Sequence, residues 1–346
     1  MRKFATIDGR GIISVEQEPI PEPQKGEILI EVHSSMISPG TELGGVKSRR
    51  ANPGASGSKH PFGYQNAGDV IAKGEDCDEF ALGMRVACMG GGYALHATHA
   101  CVPKNLSVPI PAGVTYQEAA SNHLAATALH TIQRAEIRIC ENVVVMGLGL
   151  VGQLCCQIAR LAGAYVMGVD KLPLRVKIAQ EAGTDIAVNA DEDDPVKIAK
   201  EFTRGYGMDC GIICFGGDGN EAFRQIVQMI KTAPDTHQWG RIVIVGGANI
   251  SHTFAAALGN IDVRSAARTG PGYHDVEYEH GRDYPPVFVE WDTKRNLEEC
   301  LRFMALGRLN VKSIITDEFP LDKAPEACEK LIQTPNEALG VILRAK

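Results

Sequence analysis

Two rhythms of apolar and polar positions divide the chain. Up to about residue 118, short apolar runs such as 27–32 (EILIEV) and 69–72 (DVIA) stand between glycine- and proline-rich stretches. That is the pattern of strands joined by tight turns in a mostly β domain. Residues 116–135 (YQEAASNHLAATALHTIQRA) are alanine-rich and predict a helix. A regular alternation then begins. Strands are expected at 142–146, 165–169, 185–188, 210–215 and 241–245, with helices at 151–161, 174–182, 195–202 and 220–231. In the first of these helices, apolar residues at 151, 154, 155, 158 and 161 keep close to the helical period. Continuously apolar strands alternating with helices predict a parallel sheet covered on both faces. After about 268 the rhythm stops. Residues 269–286 read as a polar, aromatic-rich loop, followed by a helix near 293–306 and short strands to the end. The expected division is 1–118 with 269–346 returning to it, and 119–268 as a separate unit.

Composition narrows the partners. The 346 residues exceed one ordinary core and suggest two domains. The formal charge is −7 and no basic block is present, which argues against nucleic acid as a partner. No apolar run reaches the roughly 20 residues that span a bilayer, so no membrane partner is expected. The stretch MRKFATIDGRG lacks a signal-type apolar region, and a cytoplasmic location is expected. None of the ten cysteines forms a C-x-x-C pair, so a structural zinc site of closely spaced cysteines is not expected.

Gly147-Leu148-Gly149-Leu150-Val151-Gly152 is a G-x-G-x-x-G motif placed between an apolar strand and a helix, the context such a motif requires. The first glycine allows the tight turn, the second lets a pyrophosphate approach the backbone, and the third lets the helix pack on the strand. The helix N-terminus then offers unpaired N–H groups to the phosphate. Asp170, at the end of the second strand, is placed to accept from both ribose hydroxyls and to repel a 2′-phosphate, which favours NAD over NADP; Lys171 beside it weakens that preference. Arg175, Phe215 and Gly246 complete the expected cofactor contacts. The competing reading is a glycine-rich turn with a surface aspartate.

The order of parts resembles the medium-chain dehydrogenase/reductase superfamily over nearly the whole chain. Besides the glycine motif, residues 90–94 (GGGYA), Val102-Pro103, 109–111 (PIP) and 241–247 (RIVIVGG) carry the likeness. The resemblance implies an α/β protein: a Rossmann doubly wound parallel sheet plus a discontinuous, mostly-β GroES-like catalytic domain. It also implies a homodimer through the Rossmann edge and a cofactor lying across the cleft between domains. Zinc-dependent members carry a Cys-Gly-Thr/Ser-Asp segment and a Gly-His-Glu segment. Here the first reads Pro39-Gly40-Thr41-Glu42, and the second Gly63-Tyr64-Gln65. Neither proline nor glutamine is a good zinc ligand, so the resemblance points to a zinc-less branch with no metal. Within the 96–101 segment (HATHAC), His99 and Cys101 share one strand face and His96 points away; two ligands do not make a structural site.

Without a Lewis acid, a positioned base or hydrogen-bond relay must manage the proton of an alcohol. Thr41 stands where the family places a relay hydroxyl, or it caps a turn. Tyr64 acts as acid, or as base if its pKa is depressed, or simply packs; Gln65 follows it. Glu42 accepts the proton, or pairs with Arg49 or Arg50 in solvent. His123 joins the site or is an ordinary helix histidine. Arg268, Tyr273, His274 and Trp291, in or beside the late loop, suit a polyol, since sugars present both apolar faces and hydroxyls; a surface loop or dimer contact is the alternative. The expectation is an NAD-dependent, zinc-independent dehydrogenase of a sugar or cyclitol secondary alcohol. Its rivals are an enone or quinone reductase and a non-catalytic NAD-binding sensor or subunit.

Overall fold

The computed structural model describes residues 1–54 and 57–346. They form two compact units, residues 1–126 with 269–346, and residues 127–268.

The first unit opens with the hairpin β1 (Arg2–Ile7) and β2 (Ile13–Glu18), then β3 (Glu27–Met36), helix α1 (Glu42–Ala51) and the short β4 (His60–Pro61). Strands β5 (Gln65–Lys73), β6 (Arg85–Met89), β7 (His99–Pro103) and β8 (Ser107–Pro109) follow. Helix α1 was not expected, because Gly44-Gly45 sits near its start, and a glycine in a helix costs up to about 1 kcal/mol relative to alanine. Burial of Leu43 and Val46 on one face offsets that cost, at about 1.5–3 kcal/mol per side chain. The alanine-rich helix expected over 116–135 is two helices, α2 (Tyr116–Ala119) and α3 (Asn122–Ala135). A capping box between Thr115 and Glu118 starts the first. The Ser121 hydroxyl donates to the Glu118 carbonyl, 2.7 Å away, at the break between them. The chain leaves the first unit within α3, later than the 118/119 boundary that composition suggested.

The second unit runs β9 (Asn142–Met146), α4 (Leu150–Leu161), β10 (Tyr165–Asp170), α5 (Pro173–Glu181), β11 (Ile186–Asn189), α6 (Pro195–Phe202) and β12 (Cys210–Ile213). It continues with the short β13 (Gly217–Asp218), α7 (Asn220–Met229), β14 (Trp239–Val245), β15 (Ala248–Asn249) and β16 (Asn260–Ala266). Six strands make one sheet in the order β11-β10-β9-β12-β14-β16, and every pairing is parallel. This is the doubly wound dinucleotide-binding order, in which strand order reverses beside the first strand. The sixth strand escaped the sequence pattern because only Ala266 of its residues is buried.

The chain then returns to the first unit through α8 (Val276–Glu279), α9 (Thr293–Ala305), β17 (Ile315–Pro320), α10 (Ala324–Gln333) and β18 (Gly340–Arg344). β18 pairs with β3, Leu343 opposite Ser35, extending a sheet ordered β17-β18-β3-β5-β6-β8, with β7 also on β3. Helix α10, read from sequence as part of a strand-bearing tail, buries Ala327, Cys328 and Leu331 in one core with Ile7, Leu43 and Val46 of β1 and α1. That core fixes α1 and leaves its other face for the site.

Candidate active site

Thr41 and Glu42 begin α1, and Tyr64 and Gln65 lie where the chain enters β5. Gly63 makes this entry possible. Its φ is +120°, and a Cβ there would lie 2.2 Å from the His96 amide nitrogen. The Tyr64 phenol shares a pocket lining with Thr41. Burial pushes its pKa well up, the nearby Glu42 charge adds to this, and the polar Ser38 and Thr41 side chains only partly oppose it. A depressed Tyr64 pKa, the condition for its acting as a base, is therefore not what the site provides; Tyr64 is a protonated donor. Thr41 precedes α1 without a side-chain capping bond, so its hydroxyl is not used to cap the helix.

Glu42 is not a solvated partner of Arg49 or Arg50. It is buried, and its Oε2 accepts from the Ser38 amide at 2.6 Å. Arg50 pairs instead with Glu329. The other Glu42 oxygen lies 3.1 Å from His96 Nε2, a close approach outside hydrogen-bond direction. His96 is fully buried, with Nδ1 2.7 Å from the Ser35 hydroxyl. Sequence reasoning turned His96 away from its neighbours but did not find this carboxylate, which lies far away along the chain. Gln65 is also fully buried. Its amide donates to the Met36 carbonyl at 3.1 Å, and its Oε1 has no hydrogen-bond partner among the described residues. Its role is in the sheet interior rather than at a substrate-facing surface.

His123, on α3, packs edge-on against Tyr64 with ring centroids 4.6 Å apart. Its Nδ1 lies 3.5 Å from the Tyr64 carbonyl. Burial lowers its pKa to about 4; the Tyr64 carbonyl opposes this and His274 reinforces it. The imidazole is thus neutral near pH 7, and with Nδ1–H directed at the carbonyl its lone pair resides on Nε2. Tyr273 also meets His123 edge-on, centroids 5.7 Å apart, and stacks on His274 at 4.0 Å. The Tyr273 hydroxyl accepts from the Gly91 amide at 2.7 Å. The late loop is held firmly: Glu279 accepts from the His274 amide at 2.7 Å, and Asn105 donates to the Tyr278 carbonyl at 2.8 Å and to Asp283 at 2.9 Å. Trp291 stands outside this ring series, its ring under the Arg295 guanidinium at 3.8 Å. Arg268 falls in the second unit.

The glycine motif has the geometry its roles require. Gly147 has φ +92°, and a Cβ on Gly152 would lie 1.9 Å from the Gly147 carbonyl oxygen. Gly149 opens α4 with no atom within 4 Å of a Cβ placed on it, an open approach to backbone amides that a pyrophosphate would fill. Asp170 accepts from Leu148 N at 2.7 Å and Leu172 N at 2.9 Å, and Arg175 Nη1 is 3.6 Å from its carboxylate. Lys171 is paired loosely with Asp191. Phe215 and Gly246 lie just past β12 and β14, at the sheet edge from which the motif also springs. Gln153 was not foreseen: buried in α4, its amide joins the Leu148 and Arg175 carbonyls at 3.1 and 2.8 Å. A glutamine inside an otherwise apolar helix stripe was the available signal. The residues present fit a nicotinamide dinucleotide.

A model described as zinc-binding dehydrogenase matches residues 151–278. Sorbitol dehydrogenase of Bacillus subtilis (strain 168) is 23% identical over 369 residues, covering 99% of this chain and 96% of that protein. These likenesses support the medium-chain dehydrogenase/reductase superfamily. D-arabitol-phosphate dehydrogenase of Enterococcus avium is another full-length superfamily relative, 22% identical over 91% of this chain and 89% of its own. The alcohol dehydrogenase of Thermus sp. ATN1 shares the superfamily fold, with a TM-score of 0.79 at 20% identity over 99% of both chains. Against this background the donor set stands out: the described residues include no group of three or more His, Cys, Asp or Glu side chains placed to hold a metal ion. No helix among them is long and apolar enough to cross a membrane.

Proposed function

We propose that this protein is an NAD-dependent oxidoreductase that interconverts a secondary alcohol of a sugar or cyclitol and its ketone without zinc. The observation that carries this reading is the Tyr64 hydroxyl. It is kept protonated by burial and set against a neutral His123 where zinc-type relatives place a metal-binding segment. Proline and glutamine at the neighbouring ligand positions do not suit a zinc ion.

Bound at the glycine motif, the nicotinamide dinucleotide supplies hydride acceptance and donation. The chain's own residues handle the proton and the charge on oxygen. Tyr64 donates a hydrogen bond to the substrate oxygen and stabilises it as negative charge develops. His123 accepts the hydroxyl proton during oxidation through its Nε2 lone pair and returns it during reduction. Thr41 lines the same pocket as the phenol, and Tyr273 packs against His123. Asp170 supports the preference for NAD, since a 2′-phosphate would face its carboxylate. The polyol class is supported by the relatives named for sorbitol and arabitol phosphate and by the aromatic and hydroxyl-bearing surroundings of His123. A cytoplasmic homodimer is the form we propose for it.

The test is NADH formation over a panel of sugar alcohols, sugar acids and inositols, with and without a strong chelator, for the wild type and Tyr64→Phe. Chelator-resistant turnover that falls steeply in Tyr64→Phe is expected. Turnover abolished by the chelator and restored by zinc would refute the metal-free reading.

A further inference from the structure

Beside Tyr64 lies a cavity of about 220 Å³ lined by Thr41, Glu42, Gly45, Arg49, His60, Tyr64 and neighbouring backbone, including Gly91 and Gly92. That is room for one end of a small ligand. One side is a single face of α1, on which Thr41, Gly45 and Arg49 recur at four-residue spacing. Gly45 leaves that face bare: a Cβ there would touch only Arg49 Nη1, at 3.6 Å. The Arg49 guanidinium therefore reaches back along the helix over Gly45, about one turn, or roughly 6 Å of rise, from Thr41.

The charge arrangement around this cavity is selective. Arg50 is matched by Glu329 and Lys59 by Glu16. Arg49, half-buried and facing the cavity, has no carboxylate partner among the described residues. The one carboxylate in the lining, Glu42, is buried and accepts from the Ser38 amide. His60 adds an exposed imidazole at the same cavity. A guanidinium without an internal partner, over a glycine-cleared helix face, is built for an external oxyanion held through two parallel N–H donors.

We infer that Arg49, with His60, forms an oxyanion subsite that takes the carboxylate or phosphate of an anionic polyol whose reacting hydroxyl lies at Tyr64. This rests on the polyol reading above and names the substrate class within it. The site would then prefer a sugar acid or sugar phosphate to the neutral alcohol.

Calorimetric titration of the full chain with glucitol, gluconate and glucitol 6-phosphate tests it. At least one anion should bind the wild type roughly tenfold or more tightly than glucitol, as one charge-assisted bidentate contact allows. Tighter binding of glucitol 6-phosphate assigns phosphate; tighter binding of gluconate assigns carboxylate. Arg49→Gln should erase the ratio, Arg49→Lys should keep part of it, and Lys47→Gln, on the exposed side of α1, should keep all of it. Equal binding of all three ligands, or a ratio unchanged in Arg49→Gln, overturns the subsite. Inorganic phosphate, followed by thermal unfolding, separates the two readings. If no polyol is oxidised yet phosphate protects the wild type and not Arg49→Gln, the subsite stands and the dehydrogenase reading fails. If glucitol is oxidised without any anion preference, the reverse holds; no phosphate protection in the absence of turnover overturns both.

Discussion

Replacing Gly152 by alanine separates packing from cofactor binding in a way that few substitutions here can. The added Cβ would lie 1.9 Å from the Gly147 carbonyl oxygen and 2.9 Å from its carbon. Ordinary contacts to a Cβ begin near 3.4 Å, so α4 and the turn would have to part by about 1.5 Å. Neither can do so freely. The turn is tied through Leu148 N to Asp170 and through Leu148 O to Gln153, and α4 is buried along much of its length. Overpacking of this kind costs about 1–3 kcal/mol, and the obstacle here is backbone, which favours the upper end. Alanine recovers about 1 kcal/mol of helix propensity. The net expectation is a loss of about 2 kcal/mol, a fall of roughly 4–8 °C in the melting temperature of a unit this size, together with loss of NADH binding. Gly149→Ala is the matched control. Its φ is −65° and its Cβ meets nothing within 4 Å, so stability should hold while NADH binding weakens, because the methyl occupies the approach to the amides. Thermal melts followed by circular dichroism and NADH fluorescence titration measure both effects. A Gly152→Ala protein as stable as wild type, or a Gly149→Ala protein that binds NADH undiminished, would show that the motif does not work as described.

Three further outcomes are expected. Tyr64→Phe keeps the ring against His123 and removes the donor, so kcat should drop by roughly 10²–10⁴ with the KM for NAD unchanged; steady-state kinetics decide. The His123 pKa is lowered in the fold to about 4, against about 6.5 unfolded. Its contribution to stability is therefore full above pH 6.5 and is lost as pH falls toward 4, by about 3 kcal/mol at most; urea melts across this range should show that slope, and His123→Gln should flatten it. Asp170→Ser removes the carboxylate while Arg175 remains 3.6 Å from that locus, so the NAD to NADP preference in kcat/KM should shift toward NADP by at least tenfold.

How much of this was legible in the chain depends on how local each determinant is. The strand–helix alternation and the glycine motif are written in neighbouring residues, and α6, with Asp194 capping it and Pro195 in its first turn, could be read to the residue. Helix α1 could not, because its two glycines argue against a helix and its support comes from α10, nearly 300 positions away. β16 was hidden for the opposite reason: its exposed positions give no apolar run. At the site, Tyr64, Thr41 and His123 were named from their places in a motif. The burial that raises the Tyr64 pKa, and the approach of His96 to Glu42, are properties of tertiary packing that no spacing reveals.

Those two features bear on one electrostatic question. A carboxylate buried at the head of α1 requires compensation, since an isolated buried charge costs several kcal/mol. In a metal-bearing site a divalent cation provides part of it. Here Glu42 meets the Ser38 amide on one oxygen and the His96 imidazole on the other, and His96 is itself anchored by Ser35. The Ser38 amide is thus an internal donor to this carboxylate, and His96 lies close to its other oxygen without a hydrogen bond. On the proposed metal-free reading, this frees Tyr64 to remain a neutral donor instead of a ligand. The Glu42 charge further opposes ionisation of the phenol, so the same carboxylate that would suit a metal site here keeps the proton on Tyr64. Removing His96 would then do more than open a cavity. In His96→Leu the carboxylate should either take up a proton or draw in a cation, and metal analysis of that variant against wild type would tell which way the balance moves.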